Sequence, residues 1–227
     1  MKESRDFAII NHINTHYDEL REELKKVDSF DMFVNEKETR KAILFDFLQI
    51  GELMNQLSKT FKNDFNNDDA DKLISIRNRI VHGYSSIRDN IIYTTLKNDL
   101  PSFIEDLNVF SHDYYREQLK QLLGKRITVY IDRPVGYIHE NIVYPINYGN
   151  TEKLTALDGE FQDVYVLDIK EPLDEVSGTV VAIIHREDDI EDKLVVSLTN
   201  RDVSEEEIEE AVFFQEQYFK HTIIKNK

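Results

Sequence analysis

The hydrophobic period of this chain changes once, near Leu123-Gly124, and that change constrains the fold more than any other feature. Before it, apolar residues recur every three or four positions, the period of a helix; after it they alternate, the period of a strand. A run of helices followed by a run of strands is the pattern of an α+β chain or of two separate domains. Residues 3–26 carry Phe7, Ile10, Ile13, Tyr17, Leu20 and Leu24 on one stripe. Asn35 can cap a second helix running to about Phe61. A third is expected from Asp68 or Asp69 to about Tyr84, and a fourth from about Asp89 to Phe110, with Pro101 bending or restarting it. Four amphipathic helices joined by short loops predict an antiparallel four-helix bundle over residues 1–115.

Beyond Gly124, strands are expected at 127–131, 164–167, 179–184 and 194–196, with a turn at 132–136. Ser204-Glu205-Glu206-Glu207 has the form of a capping box, so a last helix is expected from there to about Lys220. The second domain is placed at 116–227. The amphipathic segment Tyr115–Leu123 fits either side of the boundary, which falls within 112–124.

Of the 227 residues, 41% are hydrophobic, enough for a buried core. The chain has no cysteine, which excludes disulfide and thiolate chemistry and makes a reducing cytoplasm the expected location. No long apolar run follows Met1, so no signal peptide is expected. No stretch approaches ~20 apolar residues, so no membrane span is expected. The net charge of −16 is uneven: residues 1–120 hold 17 Lys/Arg against 22 Asp/Glu, and the remainder 11 against 22. The second half is thus a poor binder of polyanions, and its carboxylates suit hard divalent cations better.

Arg77-Asn78-Arg79-Ile80-Val81-His82-Gly83-Tyr84 is the first stretch with chemistry in it. Arginine matches phosphate with a planar fork of donors, and histidine moves protons near neutral pH. Five residues apart on a helix, Arg77 and His82 lie roughly 140° from each other. One helix therefore makes a poor complete site, whereas two copies across a two-fold axis bring both residues to one interface. The plainer alternative makes His82 a satisfied helix histidine and Tyr84 an aromatic packing at a helix end.

The stretch Arg77-x4-His82-x-Tyr84, with Leu48-Gln49-Ile50-Gly51-Glu52 upstream and Asn98-Asp99-Leu100-Pro101 downstream, resembles the HEPN superfamily. Within it, residues 1 to about 111 are most similar to the HepT group of ribonuclease toxins. The resemblance implies a dimeric four-helix bundle that cleaves RNA, tRNA included among the candidates, without a cofactor. It implies that Arg77 stabilises the scissile phosphate, that His82 serves as general acid–base while the ribose 2′-OH attacks, and that Asn78 orients the site. It also implies control by a minimal nucleotidyltransferase antitoxin, which transfers AMP onto the tyrosine matched by Tyr84.

Three acidic clusters follow the change of period. Tyr144-Pro145-Ile146-Asn147-Tyr148-Gly149 precedes Asp158-Gly159-Glu160-Phe161-Gln162-Asp163, and then Asp188-Asp189-Ile190-Glu191-Asp192-Lys193. Carboxylates at strand ends followed by a lysine are a way to gather Mg²⁺ and a phosphate counter-charge. The order resembles family I inorganic pyrophosphatases over about residues 122–220, which implies a small β-barrel with a terminal helix and pyrophosphate as substrate. By that resemblance Asp158, Glu160, Asp163, Asp188 (or Asp189) and Asp192 hold Mg²⁺, and Lys193, Tyr148, Arg133, Tyr218 and Lys220 grip phosphate. Glu160 stands where that family has aspartate, and only Arg133 and Glu140 stand in for its lysine, glutamate and arginine before the Tyr-Pro segment.

The expected protein is thus a ribonuclease toxin fused to a pyrophosphatase-like domain. Two alternatives stay open: a non-catalytic docking partner of a nucleotidyltransferase, and a Mg²⁺-dependent pyrophosphatase with a helical dimerisation domain.

Overall fold

The computed structural model describes residues 5–82, 88–199 and 201–226, the side chains of Asp68 and His82 excepted. It divides into two compact units, Met1–His112 and Asp113–Lys227. Among the described residues no helix is long and apolar enough to cross a membrane.

The first unit is built on α1 (Asp6–Leu24), α3 (Lys37–Gln56), α5 (Asp68–His82) and the start of α7 (Leu100–Leu122), with the short helices α2 (Phe30–Asn35), α4 (Lys59–Phe65) and α6 (Asp89–Thr94) between them. The first pair runs antiparallel: Asp6, opening α1, accepts the Ser58 N–H just past α3 at 2.7 Å, and His16 meets Asp46 at 3.0 Å. Ile13, Leu20, Phe33, Ile43, Phe61, Leu96, Leu100 and Leu107 are completely buried. One predicted helix, Asn35–Phe61, is in fact two. Leu57 leaves helical geometry at ψ 145°, and Ser58 caps α4 by accepting the Phe61 N–H at 3.1 Å. The carboxylate of Asp6 holds the Ser58 N–H in that break, a contact from far along the chain. Asn35 closes α2 rather than opening α3.

Pro101 neither bends nor restarts the fourth helix at its own position. A π-helical turn, Thr95–Asp99, precedes it and joins α6 to α7. A proline ring collides with the carbonyl four residues back, and a widened turn gives it room. The helix then continues to Leu122, well past Phe110. Its last part belongs to the second unit, where Tyr115 is 1% exposed and donates to Gln162 Oε1 at 2.5 Å.

The second unit is a five-stranded barrel with one added strand. The strands are β1 (Arg126–Arg133), β4 (Asn147–Thr155), β5 (Phe161–Val166), β6 (Glu175–Arg186), β7 (Lys193–Ser197) and β8 (His221–Lys225), with a small hairpin of β2 (Ile138–His139) and β3 (Ile142–Val143) outside the sheet. The order β1-β4-β5-β7-β6 closes because β6 also pairs with β1. All pairings are antiparallel except β5 with β7. The twelve residues of β6 divide one edge: Glu175–Thr179 pairs with β1 and Ala182–Arg186 with β8. A long strand serving two partners closes the barrel and leaves less exposed edge. Helix α8 (Glu205–Glu216) starts with the predicted capping box, Ser204 and Glu207 each bonding the other's backbone N–H. It ends four residues before Lys220, and the chain returns as β8.

Asp168 pins the turn after β5. Its backbone is left-handed at φ 72°, and its carboxylate accepts from Ser197 Oγ at 2.5 Å, the Leu198 N–H at 3.1 Å and the Arg201 guanidinium at 3.0 Å. Burial raises its carboxyl pKa, but the bonds from Ser197, Arg201, Thr199 and Leu198 outweigh burial and leave it below the usual value. A carboxyl depressed in the folded state stabilises above its unfolded pKa, and that stability is lost as pH falls through the folded pKa. Asp168→Asn keeps a residue that tolerates positive φ but removes the charge. Denaturant melts from neutral pH down through the carboxylate range are expected to show the variant less stable at neutral pH, with a shallower decline as acid is added.

Candidate functional sites

Arg77 lies on α5 facing α3, and the upstream segment explains how it is held. A Cβ on Gly51 would stand 2.8 Å from Arg77 Cγ and 2.9 Å from Arg77 Cβ, so the glycine is the groove in which the arginine stem lies. The guanidinium then meets two acceptors: Nη1 donates to Asn78 Oδ1 at 2.9 Å, and Nη2 forms an ion pair with Glu52. Arg77 Nε is buried without a hydrogen-bond partner in the described structure. The side chain remains 18% exposed, with donors to spare beyond the two that are engaged. The downstream segment does comparable work for Lys72. Asp99, at the end of the π-helical turn, pairs with Lys72 Nζ at 2.7 Å and accepts from Thr95 Oγ1 at 3.1 Å.

His82 ends α5, and its side chain lies outside the described residues; Tyr84 lies outside them altogether. The structure thus places Arg77, Asn78 and Glu52 together. Glu52 was read in the sequence only as part of a supporting segment, not as a site residue. The signal for it was the Gly-Glu pair: a residue without a side chain beside an acid.

In the barrel, register builds the second cluster. The parallel pairing Val164↔Leu194 sets Asp163 beside Lys193. The Lys193 side chain is 2% exposed, and its ammonium lies 2.5 Å from Asp163 Oδ2 and 2.6 Å from Glu191 Oε2. Asp192, also buried, bonds His185 Nδ1 at 2.9 Å and accepts the Arg186 N–H at 3.1 Å. Asp188 accepts the Lys220 N–H at 3.1 Å. Asp189 pairs with Arg186. None of these three carboxylates joins Lys193.

Asp158 sits in the tight turn before β5 and accepts the Glu160 N–H at 2.9 Å; the Glu160 side chain itself is exposed. Burial, then the nearby Glu191 and Asp163, raise the Asp158 carboxyl. Asp132, a residue not singled out in the sequence, is also raised, by burial and by Asp163. A break in register between Ile131 and Arg133 leaves Asp132 as the odd residue of β1. Such a bulge re-aims a side chain. Asp158, Asp163 and Glu191 thus stand near Lys193, and Asp132 near Asp163; their hard oxygen donors are of the type Mg²⁺ takes, although among the described residues no three of them bring ligand atoms within 4.8 Å of one another.

Among the phosphate-gripping candidates Lys193, Tyr148 and Arg133 adjoin, since Lys193 and Tyr148 both bond Asp163 and Arg133 lies over the Tyr148 ring. Tyr148 is buried, its ring 5.0 Å from Tyr165 and its hydroxyl bonded to Asp163; burial and that carboxylate push its pKa far up. Arg133 lies 5.4 Å over Tyr144 and 5.3 Å over Tyr148, and donates to the Tyr144 hydroxyl. Tyr218 is 66% exposed, and Lys220 pairs with Glu187. The Tyr-Pro-x-Asn-Tyr-Gly segment has strong structural duties as well. Asn147 is fully buried; its Oδ1 accepts from the Val135 and Leu173 N–H groups at 3.2 Å, and its Nδ2 donates to Glu171 O at 2.9 Å.

Comparison with known proteins gives the class of the helical unit. Residues 13–110 match the family described as Ribonuclease HepT-like, so the chain carries a HepT-like domain. Two candidate RNases of Methanocaldococcus jannaschii align with the chain. MJ0127 is 27% identical over 37% of this chain and 70% of its own length, and MJ1380 is 24% identical over 38% and 80%. The structural neighbours are inorganic pyrophosphatases. Those of Helicobacter pylori and Ehrlichia chaffeensis are each 17% identical, cover 47% and 45% of this chain and 87% of their own, and give TM-scores of 0.38 and 0.36. The barrel stands on its own strand order.

Proposed function

We propose that the helical unit is a metal-independent endoribonuclease and that Arg77, Asn78 and His82 carry the reaction. The observation behind this reading is the seating of Arg77: its stem in the Gly51 groove, its fork oriented by Glu52 and Asn78, within a domain of the HepT-like class. A pre-oriented guanidinium stabilises charge developing on a phosphate. In the reaction the ribose 2′-oxygen attacks phosphorus and the 5′-oxygen leaves, giving a 2′,3′-cyclic phosphate. One histidine takes the 2′-OH proton and one gives a proton to the leaving oxygen. A homodimer supplies two copies of His82 for these two roles. AMP transfer onto Tyr84 by a minimal nucleotidyltransferase antitoxin would block the same site in the cytoplasm.

His82→Ala tests the reading. Purified protein is expected to cleave RNA to cyclic-phosphate ends with chelator present, and the variant to lose about 10²–10⁴-fold in rate, the usual share of a positioned acid–base. Equal cleavage by both proteins would sink the nuclease assignment and favour the docking role.

A second reading concerns the barrel, and its support is the carboxylate cluster around Lys193. Asp132, Asp158, Asp163 and Glu191 would hold Mg²⁺, which when bound supplies charge neutralisation and an activated water for pyrophosphate hydrolysis. Lys193 bonds both Asp163 and Glu191. Pyrophosphate released by AMP transfer onto Tyr84 is the natural substrate, and its removal would drive that modification forward.

A further inference from the structure

His16 and Glu19 stand one turn apart on α1, and Asp46 faces them from α3. His16 Nδ1 lies 3.0 Å from Asp46 Oδ1 and 3.7 Å from Glu19 Oε2. One ligand atom from each residue falls within 4.8 Å of the other two; among the described residues no other His, Cys, Asp and Glu side chains gather so closely. The three are graded from interior to surface, with side-chain exposures of 7% for Asp46, 26% for His16 and 61% for Glu19. A cation seated among them has protein donors beneath it and water on its open side.

We infer that His16, Glu19 and Asp46 form a binding site for a borderline divalent cation of the Zn²⁺ class. One imidazole nitrogen with two carboxylate oxygens is a ligand set that Zn²⁺ and its neighbours accept, leaving a fourth position for water. Mg²⁺ and Ca²⁺ prefer oxygen throughout. Binding replaces the His16–Asp46 hydrogen bond with two metal–ligand bonds, and any proton on Nδ1 passes to water. The ion then clips α1 to α3 near their middle, as Asp6 and Ser58 do at one end. Asp46 and Glu52 are six residues apart on α3, so their side chains leave the helix roughly 120° apart. The clip and the Arg77 seat therefore use different faces of one helix, and the ion is a structural element of the bundle rather than part of the phosphate chemistry.

The full-length protein, stripped with chelator and titrated with Co²⁺ in excess Mg²⁺ that occupies the barrel carboxylates, is expected to bind one equivalent with a visible d–d absorption band that Zn²⁺ bleaches. With the same Mg²⁺ present, Zn²⁺ is expected to raise the melting temperature of the wild type and not that of His16→Ala. His16→Ala should abolish the one-equivalent band, and Glu19→Gln, at an exposed position, should weaken Zn²⁺ at least about tenfold. His12→Ala should behave as wild type. A wild-type protein without saturable Co²⁺ binding overturns the proposal, and so does a His16→Ala spectrum matching that of wild type.

Discussion

Arg77→Lys is expected to lower RNA cleavage by about 10²–10³-fold while leaving the bundle folded. The positive charge survives the change, so any loss measures geometry. Lysine offers three donors around a point charge, whereas arginine offers a rigid fork. In the structure that fork spends one donor on Asn78 and one on Glu52, which fix its plane before any substrate arrives. Lysine cannot satisfy both and still reach a phosphate. Removing one pre-oriented donor to developing charge typically costs 10²–10³ in rate. Packing should be spared, because a lysine stem fits the Gly51 groove as an arginine stem does. Initial rates on a fluorogenic RNA, with circular dichroism of both proteins, decide it. A lysine variant within a few-fold of wild type would leave Arg77 as a general counter-charge and nothing more.

Gly149→Ala is expected to disrupt the barrel while the helical unit keeps its structure. A Cβ at Gly149 would stand 1.9 Å from the Tyr130 carbonyl oxygen and 2.8 Å from Ile131 Cα. Those are backbone atoms, which cannot turn aside as a side chain can. Overpacking a well-filled region costs about 1–3 kcal/mol and more where nothing yields; here the loss should reach or exceed the upper figure. Gly149 pairs with Ile131 on one side and Val164 on the other, so β1 and β5 lose their common neighbour together. Hydrogen exchange read by peptide is expected to quicken across β1, β4 and β5 and to stay slow in α1 and α3. Unchanged protection in β1 and β4 would show that the seam can open without cost.

The same two glycines show how much of the candidate sites was legible beforehand. Gly51 and Gly149 both fall in segments that the sequence marks as informative, yet for reasons the sequence does not display. Gly51 exists for an arginine 26 positions later, and Gly149 for a carbonyl in a strand 19 positions earlier. That Glu191 rather than Asp192 meets the Lys193 ammonium is decided by the fold, since both acids precede β7 outside any strand. Asp132 was out of reach, since only the bulge in β1 turns it toward Asp163. The break at Leu57–Ser58 was equally hidden, because the group that stabilises it is Asp6 of another helix. β4 and β8 were missed as strands: β4 carries polar residues and a glycine through a barrel seam, and β8 follows a helix with hardly a turn between.

The sequence by itself determined the division into helices and strands and the start of the last helix at Ser204, and it marked the segments that hold Gly51, Glu52 and Arg77. Those follow from local causes: hydrophobic period, capping chemistry and side-chain type. Tertiary structure alone decided which charges meet. It gave Arg77 to Glu52, Lys193 to Asp163 and Glu191, Asp192 to His185, and His16 to Asp46 and Glu19. Ion pairs form by proximity in space, and proximity between distant residues is fixed by strand register and helix packing, which no local stretch of chain contains.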